Sequence, residues 1–250
     1  MKTFKEVLID RRSMRRYERQ GIEQDKLEFI YEAIRSTQTS HNGQHFSVIA
    51  VTDQDVKLKL YEHIGQKQIK TSAVFLLFCM DFHQLRIAGQ AKGIEAADFQ
   101  NTMNGYTVGA VDATLAMHQA IVAAESMGLG TCCIGYVRTA DPAKTAEILG
   151  LPEKVAVVCG LTIGWPSEIP DIKPKRPVAL TVFENHYGDD AEIIKGIQAY
   201  DEQVCAYNQV RSGDKTCNDW VGHILEYHAE EKGEVYDEHL RKQGFDVVQK

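Results

Sequence analysis

Three arginines and a serine stand within five residues near the start of the chain: Arg11, Arg12, Ser13 and Arg15, with Arg16 and Tyr17 following. Guanidinium groups donate forked hydrogen bonds and serine donates a short neutral one. Such a set can surround a phosphate or a polarised carbonyl oxygen. A second basic group, Lys173-Pro174-Lys175-Arg176-Pro177, is held extended by its prolines, so that alternate side chains project the same way. A third stretch, Thr37-Gln38-Thr39-Ser40-His41-Asn42-Gly43-Gln44, is rich in hydroxyls and amides and reads as a loop. Taken singly, each also reads as a solvated face, a turn or a loop.

Patterns for other chemistries are missing. The run Gly128-Leu129-Gly130-Thr131-Cys132-Cys133 lacks the third glycine of a dinucleotide fingerprint, and there is no phosphate loop of the G-x-x-x-x-G-K-[ST] type. There is no H-E-x-x-H, no C-x-x-C and no G-x-S-x-G elbow, and His223 and His228 are five apart, which is wrong for two ligands on one helical face. Cys132 and Cys133 are adjacent; on a strand they point to opposite faces, so a structural pair fits better than a redox dithiol.

These residues need elements to position them, and the 250-residue chain has material for one to two domains. Hydrophobic residues are 44% and charged residues 25%, which excludes a disordered or fibrous chain. The net charge of −7 is uneven: residues 1–20 hold seven bases against three acids, leaving an acidic body of −11. An acidic body argues against nucleic acid, and a small basic focus on it suits a small anionic ligand. Asp112, His118, Gln119 and Glu125 interrupt the most apolar window, 107–127, and disfavour a membrane span there. Six cysteines are too sparse for a disulfide scaffold, so the expected compartment is a reducing cytoplasm.

Helices are expected over 5–9, 25–35, 53–64 (opened by Asp53, closed by Gly65), 104–127 and from Pro142 to Gly150. Strands are expected over 46–52, 74–80, 132–137, 155–163 and 178–183, and a polar helical stretch after Gly188. Helix 104–127 carries a small-residue stripe, Gly109, Ala113, Ala116, Ala120, Ala123 and Ala124, which lets another backbone come close; the helix is expected to be central and packed on several sides, and the stripe also to permit an obligate homodimer. The alternation gives a mixed α/β or α+β sheet, its order unreadable.

An ordered series of short motifs carries a resemblance. It opens with Arg11-Arg12-Ser13-Met14-Arg15 and continues with Gly65-Gln66-Lys67, Phe78 to Phe82, Ala123 to Gly130 and Ile134-Gly135. It goes on through Gly164-Trp165-Pro166, Pro170 to Pro174, Glu184 to Tyr187, Tyr200 to Gln203 and Lys242-Gln243-Gly244. Over nearly its whole length the chain resembles FMN-dependent nitroreductases, closest to the group-A nitroreductase and NADPH–flavin oxidoreductase branch.

The resemblance implies an α+β, three-layer, homodimeric sandwich with a central mixed, mainly antiparallel sheet flanked by helices. It implies a core over 1–188 and a helical extension over 189–250 packing on the dimer. It implies FMN contacts from Arg12, Ser13 and Arg15, with Arg11 standing where the family commonly has histidine. Thr39, Ser40 and His41 fall in the family's serine-rich loop. Gln66 would bond the flavin ring, and Gly135, after Ile134, would offer its N–H near flavin N5. Lys173 matches a lysine contacting flavin or phosphate, and Lys175 replaces an arginine. Arg211, in a segment that reads as a flexible loop, matches an arginine receiving the NADPH phosphate.

The implied activity is an NAD(P)H oxidoreductase passing hydride by a ping-pong route through bound FMN to nitroaromatics, quinones or free flavin, with no catalytic side chain and no metal. The partners implied are NADPH, a small electron acceptor and a second copy of the chain, with neither nucleic acid nor membrane. Enone reduction or dehalogenation on the same scaffold, and a non-enzymatic flavin-binding module, are the alternative readings.

Overall fold

The computed structural model describes residues 3–213, 215–230 and 233–247. In chain order it forms α1 (Phe4–Ile9), α2 (Gln24–Arg35), β1 (Phe46–Val51), α3 (Gln54–Ile64), α4 (Gln68–Thr71), β2 (Val74–Asp81), α5 (His83–Ala91) and α6 (Met103–Ser126). There follow β3 (Gly130–Ile134), α7 (Pro142–Leu149), β4 (Val155–Gly164), α8 (Asp190–Ser212), α9 (Trp220–Glu230) and α10 (Gly233–Lys242). The architecture is α+β. It divides into one unit of residues 1–170 with 232–250, and a second of 171–231.

In the first unit four strands form one sheet in the order β1-β2-β4-β3, every neighbouring pair antiparallel. The sole parallel pairing among the described residues is an isolated bridge, Ser13 to Thr131. Both faces of β2 are buried, which is why its sequence is a continuous apolar run without alternation. Val74, Leu76 and Phe78 pack with Ile30 and Ile34 of α2 and the alanines of α6. Phe75, Leu77 and Cys79 pack on the other face with Leu60 and Ile64 of α3, and Ile69 of α4. The result is three layers, helix–sheet–helix.

The small-residue stripe is used inside this chain: Ala113, Ala116, Ala120 and Ala124 are fully buried, and a Cβ on Gly109 would stand 2.9 Å from Met80 Cβ. The stripe therefore seats α6 on its own sheet and does not itself supply a dimer face. By length and composition α6 could cross a membrane, with a mean hydropathy of 1.2. Here it lies against β2 and α2 and buries Asp112 and Glu125 among hydrogen-bonding partners.

The caps fall where side-chain chemistry puts them. Asp53 accepts from two backbone N–H groups at the head of α3, and Gly65 closes it at φ 76°. Asp141 caps α7, with Pro142 in its first turn and Gly150 at φ 63°.

Three expectations differ. The strand expected over 132–137 stops at Ile134, and Gly135–Val137 turns as a 3₁₀ helix. No strand forms over 178–183: Val178–Leu180 is a 3₁₀ turn, with Val178 75% and Val182 63% exposed. An apolar run becomes a strand only where a sheet buries it. Here Leu180 instead lies over Gly196 of α8, where a Cβ would be 2.9 Å from Leu180 Cδ2. Finally, the boundary expected at residue 188 lies inside the second unit, and the chain rejoins the first unit after it. Tyr236, Leu240 and Phe245 are buried with Met80, Phe82 and Ala156, so this end of the chain completes the first unit's core.

Candidate active site

Residues 13–17 are carried onto the sheet by their backbone, with the Met14 and Tyr17 side chains turned inward. Met14 N–H donates to the Thr131 carbonyl at 2.8 Å, and Tyr17 bridges Pro166. Two glycines make room: a Cβ on Gly130 would be 2.5 Å from Met14 Cγ, and one on Gly164 would be 2.9 Å from Tyr17 Cδ1. Tyr17 donates its hydroxyl to Met14 O at 2.8 Å and meets Thr162 Oγ1 at 2.9 Å. Burial pushes the Tyr17 phenol well above its ordinary range, so it remains a protonated donor. With Met14 and Tyr17 turned inward, Arg15 and Arg16 are exposed.

Arg15 lies along a cleft of about 630 Å³, with Gly65, Gln66, Lys67, Gln68 and Ser167. Gln68 donates to Gln66 Oε1 at 3.1 Å, which fixes the Gln66 amide. Ser13 and Gln68 both hydrogen-bond the Cys132 thiol; burial raises that thiol even though Arg15 is close, leaving it neutral. Arg12 is held by carbonyls, donating to Pro170 O at 2.8 Å and Asp10 O at 3.2 Å. Arg11 is half-buried and close enough to Cys133 to lower its thiol slightly. Cys133 faces Cys159 on β4, and the pairing pulls the Cys159 thiol below its ordinary range and pushes Cys133 up. Ile134 is buried, and Gly135 opens the turn after β3, where a Cβ would be 3.6 Å from Arg138 Nη2.

Thr39, Ser40 and His41 do not line this cleft. Their loop is pinned by Asp112, which is 1% exposed. Its carboxylate accepts from Ser40 N–H at 3.1 Å, His45 N–H at 3.2 Å and the His45 imidazole at 3.0 Å. Three non-glycine residues in this loop, His41, Asn42 and Gln44, have φ of 50–56°. Such left-handed backbone is retained only where surroundings over-determine it, and Asp112 does so here.

In the second unit Lys173 and Arg211 share a pocket of about 390 Å³ with Tyr200, Tyr207, Trp220 and His223. Arg211 belongs to the last turn of α8, which Gly213 closes at φ 62°; the loop expected around Arg211 begins two residues later. Arg176 stacks on Trp220 at 5.3 Å, and Lys175 is exposed and lines neither pocket.

Of the expected site residues, Arg15 thus meets Gln66, and Lys173 meets Arg211. Sequence reasoning did not single out Gln68 and Ser167, gave Lys67 only as part of a motif without a role, and did not foresee the Cys205–Cys217 disulfide, with Cα atoms 4.5 Å apart. A carboxylate inside an otherwise apolar helix was the available signal for Asp112; nothing in the spacing marked the others.

The Nitroreductase family matches residues 8–165, and the Nitroreductase family, C-terminal domain, matches residues 173–248. An FMN reductase [NAD(P)H] of Bacillus subtilis is 39% identical over 241 residues, covering 96% of each chain. An oxygen-insensitive NADPH nitroreductase of Salmonella typhimurium is 34% identical over 242 residues, covering 96% of this chain and 97% of that one. The solved structure of the hypothetical oxidoreductase YcnD from Bacillus subtilis superimposes with a TM-score of 0.94 at 37% identity, covering 100% of both chains. Similarity in sequence and in backbone therefore runs through both units, and the chain belongs to the nitroreductase family.

Proposed function

We propose that the chain is an FMN-dependent NAD(P)H oxidoreductase that reduces nitroaromatics, quinones or free flavin, working as a cytoplasmic homodimer. One observation carries the flavin assignment: Arg15 and Gln66 converge on a single cleft, and the relatives that match this chain along its length are an FMN reductase and an NADPH nitroreductase. The donor set fits the group. Arg15, Arg16 and Lys67 offer cationic donors to a phosphate or an electron-rich ring edge, and Gln66 offers an amide to polar ring atoms.

Bound FMN supplies the two-electron relay between a nicotinamide and an acceptor. The chain's own part is binding and orientation. Arg15 stands on a segment whose backbone is fixed to β3 through Ser13 and Met14, so its side chain starts from a fixed point at the edge of the cleft. Gln68 holds the Gln66 amide in one orientation. The neutral Cys132 thiol beneath them acts as a small packing group.

Lys173 and Arg211, facing one pocket, support a preference for NADPH, whose extra phosphate needs a cation outside the flavin site. Association is supported by exposed apolar side chains: Phe4, Leu8 and Ile9 on α1, and Met103 and Val111 on α6. The free thiols Cys79, Cys132, Cys133 and Cys159 suit a reducing compartment.

The visible spectrum tests the central claim. The purified protein should be yellow with FMN and should bleach when NADPH is added without oxygen. Yellow protein that NADPH leaves unbleached would make the chain a flavin-binding module without the activity. Arg15→Ala should weaken flavin binding about ten- to a hundred-fold, the value of one charge-assisted hydrogen bond.

A further inference from the structure

Cys205 and Cys217 have no part in the proposed reaction, yet they form the sole disulfide among the described residues. They lie 12 positions apart, Cys205 half-buried on α8 and Cys217 exposed between α8 and α9. Next to Cys205, Val204, Tyr207, Asn208 and Arg211 recur at helical spacing and make one wall of the second unit's pocket. Thr216, Asn218 and Trp220, around Cys217, make the facing wall.

Among the described residues the walls are also tied by hydrogen bonds and by Tyr200 packing edge-on against Trp220 at 5.9 Å. Asp201 accepts the Trp220 N–H at 3.0 Å, Ser212 Oγ accepts the Thr216 N–H at 3.1 Å, and Asn208 donates to Asn218 O at 2.7 Å. Apart from the Asp201 contact these are exposed hydrogen bonds, each of modest net value in water. The crosslink joins the walls covalently at the middle of the segment.

We propose that the Cys205–Cys217 bond is a reversible thiol–disulfide switch that sets the affinity of the pocket holding Lys173 and Arg211 for a phosphorylated nicotinamide dinucleotide. This rests on the reading above that the pocket receives the extra phosphate of NADPH. The oxidant is a low-molecular-weight disulfide. The exposed Cys217 thiolate attacks one of its sulfurs, forming a mixed disulfide and releasing one thiol. Cys205 then attacks the Cys217 sulfur, the Cys205–Cys217 bond forms, and the second thiol leaves. Two cysteine thiols are oxidised and one small disulfide becomes two thiols; a small thiol in excess reverses both steps. Crosslinked, the walls stand at their binding distance. Reduced, they hold that arrangement for a smaller fraction of the time, and apparent affinity falls by that fraction.

The test uses the full-length FMN-loaded protein equilibrated in defined ratios of oxidised to reduced glutathione. One sample is alkylated and its 205–217 peptides weighed; a second is assayed with NADPH and with NADH. The crosslinked fraction should follow the ratio in both directions, and the KM for NADPH should be about five-fold lower for the crosslinked form, with NADH unmoved. Cys217→Ser and Cys205→Ala should keep their flavin, match the reduced parent and ignore the ratio. Cysteines that never pair, or that never reduce under native conditions, overturn the switch. So does an equal KM in both forms, or a Cys217→Ser protein that still responds. A parent without preference for NADPH defeats the phosphate reading and the affinity change together, whereas peptide masses report on the crosslink independently of either.

Discussion

Residues 13–17 and residues 211–220 both present cations to a pocket, by different means. The first segment is bound through its backbone to β3 and Pro166, over glycines that leave room for Met14 and Tyr17. The backbone that carries its arginines is therefore fixed by the sheet. In the second, Arg211 stands on the last turn of α8, and the facing stretch 216–220 is tied to that helix through side chains: a disulfide, an Asp201 cap and an exposed asparagine contact. A group that must stay in register with a bound ring belongs on the first kind of scaffold. A group that must receive and release a dinucleotide each cycle is served by the second, where side-chain ties and one crosslink set the spacing of the helix and the facing stretch.

The largest effect should come from the loop beside the sheet. Asp112→Ala would leave two half-buried backbone N–H groups and the His45 imidazole without their acceptor, in a loop already held in left-handed backbone. A loss of about 3 kcal/mol in urea unfolding is expected. A variant as stable as the parent would show that the loop does not depend on this carboxylate.

Arg211→Ala should raise the KM for NADPH about ten-fold or more, roughly 1.5–3 kcal/mol, while NADH kinetics and unfolding midpoints hardly move. Lys215 is close in sequence, so the double substitution belongs in the same experiment. An unchanged NADPH to NADH ratio in both would move phosphate recognition elsewhere.

Gly130→Ala brings a methyl group against Met14 Cβ at 2.8 Å and Cγ at 2.5 Å. Because that contact lies close to the backbone, the arginine segment must shift. About 1–3 kcal/mol of stability should be lost, with flavin retention falling alongside it. Stability lost without any loss of flavin would separate the segment's seating from the cleft.

The smallest effect concerns α10. Burial, with Lys242 nearby, holds His239 below its ordinary 6.5, so the unfolded chain takes up its proton more readily. This contribution is complete above about 6.5 and declines as the pH falls toward the folded value. His239→Gln should flatten that part of the stability profile; the same slope in both proteins would remove the assignment.

How much of this was legible beforehand can be followed residue by residue. The caps at Asp53, Gly65, Asp141 and Gly150 were, because a cap is a local bargain between one side chain and the adjacent backbone. The strand at Val74–Asp81 was, because burial on both faces leaves a continuous apolar run. The 178–183 run misled, since its apolar residues meet α8 and solvent instead of a sheet. Arg15 and Gln66 were each visible, but their meeting at one cleft was not, as 51 positions of chain separate them.

Helix ends, apolar strands and the donor types that suit an anion can be read from the residues alone. These depend on neighbours within one or two turns of the chain. The resemblance of its ordered motifs extended that to the family. Which donors share a pocket, that the alanine stripe faces its own sheet, and that residues 236–245 complete the first unit's core are settled by packing. Each of these is a contact between distant segments. The chain can realise it only when the layers close, and apolar burial that is indifferent to sequence order drives that closure.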